Sequence, residues 1–349
     1  MLATAQVSRG WDVHIALRRG GVHYLRVREG GVRIHVLGDL RKAHPVLFAR
    51  LAAVVREVQP QIIHTWLPQM DVVGGVVAIF NRVPWVMSER AVLAAYATMP
   101  LLRRTRSWLA RFACFVVANS PEGTDEWKQT VSSVDFIGNA VDVAAIDAVD
   151  PATAPEVPLL LCVGRLANQK APEILVQAAA QLAPQKFELL IVGDGPLKTQ
   201  LVGMIRELEL DDCVRLVPYQ ADWWRFLKVA TALISTSRFE GTPNVILEAM
   251  AAECPVIVTD IPAHRSILSD TSALFVPTEN VAAVAEAISA VLDDPTSARS
   301  RAVNARQQVE PLTIASVAER YESVYATCQG AFQRRPPLRA DRHQWSARS

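Results

Sequence analysis

The chain has 349 residues and a net charge of +1, with half of its residues hydrophobic and 7% aromatic. At about 150 residues per domain this suggests two domains with ordinary cores, and the near-neutral charge argues against nucleic acid as the main partner, since phosphate binding shows as a basic excess. No stretch approaches the roughly 18 unbroken apolar residues of a membrane-spanning helix, and the opening MLATAQVSRGWDV lacks the charged and apolar regions of a signal peptide.

Taken in chain order, short apolar runs alternate with helical patterns. The strand candidates are VHIAL, RIHVLG, QIIHTW, PWVMS, CFVVANS and VDFIGN, then LLLCVG, ELLIVG, VRLVP, ALISTS, PVIVTD and ALFVP. Segments such as PVLFARLAAVVREVQ and EILVQAAAQLAPQ read as the helices between them. The alternation predicts βαβ units and parallel sheets. A Pro- and Ala-rich stretch, Val149 to Pro158, separates the two strand series as a linker. The expected architecture is α/β, with two Rossmann-like doubly wound domains facing a cleft: residues 1–148, residues 149–330, and a disordered basic tail over 331–349. Ligands of such folds bind outside the carboxyl ends of the strands, here in the cleft between the halves. Five cysteines, Cys114, Cys162, Cys213, Cys254 and Cys328, never fall in C-x-x-C spacing. Reduced thiols in a cytoplasmic protein fit that better than disulfides or structural zinc.

Two stretches carry chemistry. In PLLRRTRSWLARFACF, Arg103, Arg104, Arg106 and Arg111 mix with Leu101, Leu102, Trp108, Leu109 and Phe112. A basic, aromatic amphipathic helix of this kind suits peripheral contact with an anionic membrane face; an arginine-faced helix of a folded domain is the alternative. In RFEGTPNVILEA, Glu240 and Glu248 bracket a Gly-Thr-Pro-Asn turn. Thr242 and Pro243 predict a helix start, with Thr capping and Pro at the first position. Gly241 leaves room for close backbone approach, and the helix N-terminus suits a phosphate. Glu248, about a turn and a half into an apolar helix, needs a partner. A ribose diol would serve, while Glu240 reaches another part of the same ligand. The plainer alternative is a helix-face carboxylate and a solvated loop residue.

The stretch SRFEGTPNVILEAMAAECPVIVTD resembles the E-x7-E region of the retaining family 4 glycosyltransferases, which have the GT-B fold. LLCVGRLANQK, LLIVGDGPLKTQL, ANS at Ala118–Ser120 and IGNAVD at Ile137–Asp142 resemble further segments of that family, in the right order and over nearly the whole chain. The resemblance implies a hexosyltransferase acting on a nucleotide diphosphate sugar, UDP-sugar favoured, with a glycan or lipid-linked acceptor, as in polysaccharide and lipopolysaccharide biosynthesis at the inner face of the membrane. It implies that Arg165 and Lys170 bind the donor diphosphate, that Glu248 holds the ribose, and that Glu240 meets the transferred sugar. Gly241, Thr242 and Asn244 would add N–H groups at the diphosphate. Gly193 and Gly195 would form a tight turn near the nucleotide, or a turn with no ligand contact. No cofactor is implied, and no metal: there is no Asp-x-Asp pair, and Arg and Lys can neutralise the diphosphate.

The first half should bind the acceptor. His64, at the end of the strand QIIHTW, matches a common family pattern, and a packed strand-end histidine is the alternative. Where many members carry another His, this chain reads MSERAV, leaving Glu89 and Arg90 as polar candidates. The chain also begins inside what resembles the family's first helix, so the preceding strand and Gly-Gly loop are expected to be missing. That keeps open a second reading, a nucleotide-binding homologue without turnover, and a third, another GT-B enzyme such as a nucleotide-sugar epimerase.

Overall fold

The structure is a computed structural model that describes residues 1–21, 24–40, 44–90, 99–182 and 185–333. In chain order the first half runs α1 (Leu2–Ser8), β1 (His14–Leu17), α2 (Tyr24–Glu29), β2 (Arg33–Val36), α3 (Pro45–Val58), β3 (Ile63–Trp66), α4 (Pro68–Asn81), β4 (Trp85–Glu89), α5 (Pro100–Ala110), β5 (Phe115–Ala118), α6 (Pro121–Lys128), β6 (Val134–Phe136) and α7 (Val143–Asp147). The second half runs β7 (Leu159–Val163), α8 (Pro172–Ala180), β8 (Glu188–Val192), α9 (Lys198–Glu207), β9 (Val214–Val217), α10 (Trp224–Leu227), β10 (Ala232–Ser235), α11 (Asn244–Ala251), β11 (Val256–Thr259), α12 (Pro262–Arg265), β12 (Leu274–Val276), α13 (Val281–Asp293) and α14 (Pro295–Gln307). A last helix, α15 (Ile314–Gln333), follows. Each strand candidate read from the sequence overlaps one of these strands.

The second half is a six-stranded parallel sheet of order β12-β11-β10-β7-β8-β9. Its inner strands are near-continuous apolar runs because both faces are covered, while the edge strand β9 carries an exposed Arg215. Alternate residues feed opposite cores: Leu160, Leu189, Ile191 and Ile234 face one cluster with α8 and α13, and Leu161, Leu190, Val192 and Leu233 face the other with α11. Each fully buried leucine contributes roughly 1.5–3 kcal/mol against exposure. Chain winding proceeds from β7 outwards on one side and from β10 outwards on the other, which makes the β7/β10 junction the topological switch point.

The first half differs. Strands β3-β4-β5-β6 form one parallel sheet, and β1 and β2 form a separate parallel pair. The two are bridged by packing: Ala16, Leu37, Leu47, Leu51 and Val55 share one core with Ile63, Val73 and Val77. Helix α3 shows why it forms there. His44 Nδ1 accepts from Val46 N at 3.2 Å, Pro45 occupies the first turn, and Leu47, Leu51 and Val55 recur at one-turn spacing on the buried side.

The domain boundaries differ from the expected ones at both ends. Val141 and Ile146 pack into the second-half core. Helix α15, assigned by chain position to the second domain, returns to the first: Val317, Tyr321, Val324, Tyr325 and Cys328 pack on Val86, Val117 and Ile137. The chain therefore passes between the halves twice. The two passages lie side by side, with Val141 and Thr313 in a parallel bridge and Val141 N donating to the Leu312 carbonyl at 2.9 Å. Of the expected tail, residues 331–333 belong to α15, and 334–349 lie outside the described residues.

Candidate active site

The carboxyl ends of β7 and β10 bring together the residues expected at the donor. The loop after β7 carries Arg165, which is exposed, and a 3-10 turn, Asn168–Lys170. The loop after β10 carries Ser237 to Asn244. Lys170 Nζ ion-pairs with Glu240, whose carboxylate also accepts from Ser237 Oγ at 2.7 Å and Gln169 Nε2 at 3.4 Å. Thr236 Oγ1 donates to the Ala171 carbonyl at 2.8 Å, and Arg238 N donates to that of Gln169 at 2.9 Å, so the two loops are sewn together along their length.

Gly193 and Gly195 shape this place through sterics. A Cβ on Gly193 would stand 1.9 Å from the Gly164 oxygen, and one on Gly195 would stand 2.3 Å from the Leu166 oxygen. Glycine is what lets the loop after β8 lie against the loop that carries Arg165.

Helix α11 starts later than the sequence suggests. Its N-cap is Pro243, no side chain caps it, and its first residue is Asn244. Thr242 is not the cap; its hydroxyl is turned to the first half, where it donates to the Asn119 carbonyl at 2.6 Å. Ile246 N and Leu247 N already bond to the Pro243 carbonyl, so the N–H groups of Asn244 and Val245 are the ones left without an intrahelical partner and suited to an anion. Gly241 lies against the first half: a Cβ there would stand in ordinary contact with the Arg90 oxygen at 3.7 Å and Asn119 Nδ2 at 3.9 Å. One turn into α11, Glu248 is largely buried, and burial pushes its carboxyl up to about 7. The Trp224 indole pulls the other way, although its buried Nε1 stops short of hydrogen-bond geometry. A ligand offering hydroxyls to Glu248 would relieve both groups.

The first half corrects three expectations. His64 is no free base. Its Nδ1 lies 2.8 Å from the Tyr325 hydroxyl and its Nε2 lies 2.6 Å from Ser88 Oγ. Burial, with Arg90 nearby, holds it neutral, down to about 3. Glu89 is not directed at a ligand either. It is buried, ion-pairs with Arg106 and accepts from Trp127 Nε1 at 3.0 Å. Arg106 also bonds Asp71 at 2.7 Å and the Ser88 carbonyl at 3.2 Å, and lies over the Trp127 ring. Burial pushes the Asp71 carboxyl up to about 6. Arg90, the third candidate, is stacked 4.1 Å over Trp66 and bonds Asn139 Oδ1 at 2.7 Å and the Tyr321 hydroxyl. The partners that fix these roles lie 17 to 261 residues away in sequence.

The same geometry removes Arg106 from the supposed basic face of α5. Exposed there are Arg103, Arg104 and Arg111 with Leu101 at 77%, Trp108 at 58% and Phe112 at 44%. A hollow of about 550 Å³ opens among Arg103, Arg104, Trp108 and Arg111; none of the residues that line it belongs to the Glu240 site. Among the described residues, no helix is long and apolar enough to cross a membrane. Sequence reasoning missed Gln169, Ser237, Trp224, Asn119 and Asn139. The last two sit inside the ANS and IGNAVD segments, which were the available signal.

Comparison with known proteins accords with this arrangement. Residues 1–145 match the family model described as Glycosyltransferase Family 4, and residues 147–308 match that of Glycosyl transferases group 1. The lipopolysaccharide core biosynthesis glycosyltransferase LpsE of Rhizobium meliloti is 27% identical over 84% of each chain. A Campylobacter jejuni N-acetylgalactosamine-N,N'-diacetylbacillosaminyl-diphospho-undecaprenol 4-alpha-N-acetylgalactosaminyltransferase is 31% identical over 39% of this chain, a match spanning only 37% of that relative. The crystal structure of Anabaena HepE in complex with UDP superposes with a TM-score of 0.82 at 18% identity, covering 93% of this chain and 95% of that one. With both halves matched and the overall fold shared, the chain belongs to the family 4 glycosyltransferases of GT-B fold.

Proposed function

We propose that the protein moves a hexosyl group from a UDP-sugar, with retention, to a glycan or lipid-linked acceptor in surface polysaccharide biosynthesis. The observation that carries this reading is the convergence of Arg165, Lys170, Glu240 and the start of α11 at one switch point, with Glu248 a turn further in. The complexes of HepE with UDP and UDP-glucose support the choice of nucleotide. LpsE and the Campylobacter relative support the acceptor class.

In this reading Arg165, Lys170 and the α11 N–H groups neutralise the diphosphate, with charge-assisted contacts of roughly 1.5–3 kcal/mol each. Glu248 accepts from the ribose hydroxyls. Glu240 releases Lys170 to the phosphate and turns to the sugar. The bond from the sugar's anomeric carbon to the diphosphate oxygen breaks, a bond from the same carbon to the acceptor oxygen forms on the same face, and the acceptor proton passes to the departing diphosphate. The protein's part is positioning and stabilisation of the leaving charge. The exposed arginines and aromatics of α5 would hold the first half on an anionic membrane face.

One observation favours a second reading, a nucleotide-binding homologue without turnover: His64 and Glu89 are both consumed by internal partners. Calorimetric titration with UDP, GDP and ADP, beside the Glu248→Ala variant, tests the donor site. Selective UDP binding, weakened in the variant, is expected. No binding to a folded chain would sink the proposal, and binding without UDP release from UDP-glucose plus membrane extract would promote the second reading.

A further inference from the structure

The start of α11 and the turn before it are held by one carbonyl and one side chain of the other half. Thr242 Oγ1 donates to the Asn119 carbonyl at 2.6 Å, and Asn139 Nδ2 donates to Asn244 Oδ1 at 2.7 Å. On its other side Asn139 Oδ1 accepts from Arg90 Nη1 at 2.7 Å, with Asn119 Nδ2 at 3.5 Å as a weaker donor. Arg90 has little freedom to turn: its guanidinium lies 4.1 Å above Trp66 and bonds the Tyr321 hydroxyl of α15. A continuous chain of contacts thus runs from Tyr321 through Arg90 and Asn139 to the first residue of α11. The middle member must accept from a guanidinium and donate to an amide oxygen at once. A carboxamide can do both; a carboxylate can only accept.

We propose that Asn139, aimed by Arg90, is a positioning residue: it sets the first turn of α11, and with it the anion-facing N–H groups, against the acceptor side of the cleft. The proposal rests on reading that turn as the diphosphate site. Donor affinity arises within the second half, so losing this contact should leave nucleotide binding nearly intact and misalign donor with acceptor. A misplacement of about 1 Å can cost on the order of 100-fold in rate.

The test uses the full chain with Asn139→Ala, Asn139→Asp, Asn244→Ala and the double alanine variant. Asn139→Asp keeps the acceptor for Arg90 and loses the donor for Asn244. Hydrogen exchange is read at the amides of Ile246 and Leu247, which bond back to Pro243 and report local opening of that turn. Exchange there should quicken about tenfold in both Asn139 variants, with no further gain in the double variant, while amides of β4 and β7 are unchanged. Release of UDP from UDP-glucose should fall about tenfold with UDP affinity held within about threefold. Unchanged exchange at Ile246 and Leu247 would overturn the proposal whether or not the chain binds UDP. Additive effects in the double variant would overturn it as well, since the two asparagines would then act apart. Failure of the unaltered chain to bind UDP would count against the donor site itself and leave the exchange result standing.

Discussion

Two glutamate–cation pairs stand at strand ends of this molecule, Glu89 with Arg106 at the end of β4 and Glu240 with Lys170 after β10. Both side chains of the first pair are 5% exposed; in the second the glutamate is 7% exposed and the lysine 27%. Arg106 is further fixed by Asp71, the Ser88 carbonyl and the Trp127 ring, whereas Lys170 has a flexible stem and one carboxylate. The chemistry is alike, but one pair is sealed into the scaffold and the other stands partly open to solvent, as the proposed exchange of Lys170 from Glu240 to a diphosphate requires. A carboxylate at the end of a parallel strand is therefore not a site by that fact alone; what counts is whether its cation can leave.

The comparison breaks if the two pairs respond alike to mutation. Arg106→Ala should have the largest effect, because it removes a buried cation shared by the Asp71 and Glu89 carboxylates, and should lower stability by about 3–5 kcal/mol, read as the shift in a urea unfolding curve. Lys170→Ala at the open pair should shift that curve far less. Glu240→Ala should lower turnover on the order of 100-fold with UDP affinity unchanged or improved, since Lys170 is then free for the diphosphate. Equal losses in turnover and UDP affinity would show that Glu240 belongs to the nucleotide site.

A smaller effect should appear in pH. Between its ordinary 4.5 and about 7, the folded chain keeps a proton on Glu248 that the unfolded chain has lost. The contribution of this group to stability therefore falls as pH rises through that window and levels off above it. The ionised form is the better acceptor for a diol. Affinity for UDP-glucose, whose diphosphate does not titrate there, should rise about tenfold from pH 6 to pH 8, and Glu248→Gln should flatten the profile. Smallest of all, Trp108→Ser should weaken binding to vesicles of anionic lipid a few-fold without changing UDP affinity. An unchanged vesicle titration would return α5 to the ordinary arginine-faced helices.

Legibility in the sequence follows the same divide. The strands were readable because each is a short apolar run bounded by turn residues, buried on both faces in the second half. The grouping of Arg165, Lys170, Glu240 and Asn244 at one end of the sheet was readable because they lie in contiguous stretches directly after strands. The packed alternative for His64 and the ion pair of Glu89 could not be read locally, because their partners, Tyr325 and Arg106, arrive from elsewhere in the chain. Thr242 is not the cap for a related reason: its hydroxyl is turned toward a carbonyl of the opposite half, a partner 123 residues away in sequence. The return of α15 was hidden because an amphipathic helix shows which of its faces is apolar, but not which core receives it.

That return has a mechanical consequence. A single connecting thread would let the halves swivel about it. Here two threads run side by side and are pinned where Val141 meets Thr313. Such a pair resists twisting and leaves bending across the cleft as the easy motion, as in a door on two pins. It also means that the chain cannot be cut at residues 149–158 into two self-sufficient pieces, because the first piece would lack the helix that fills its own core.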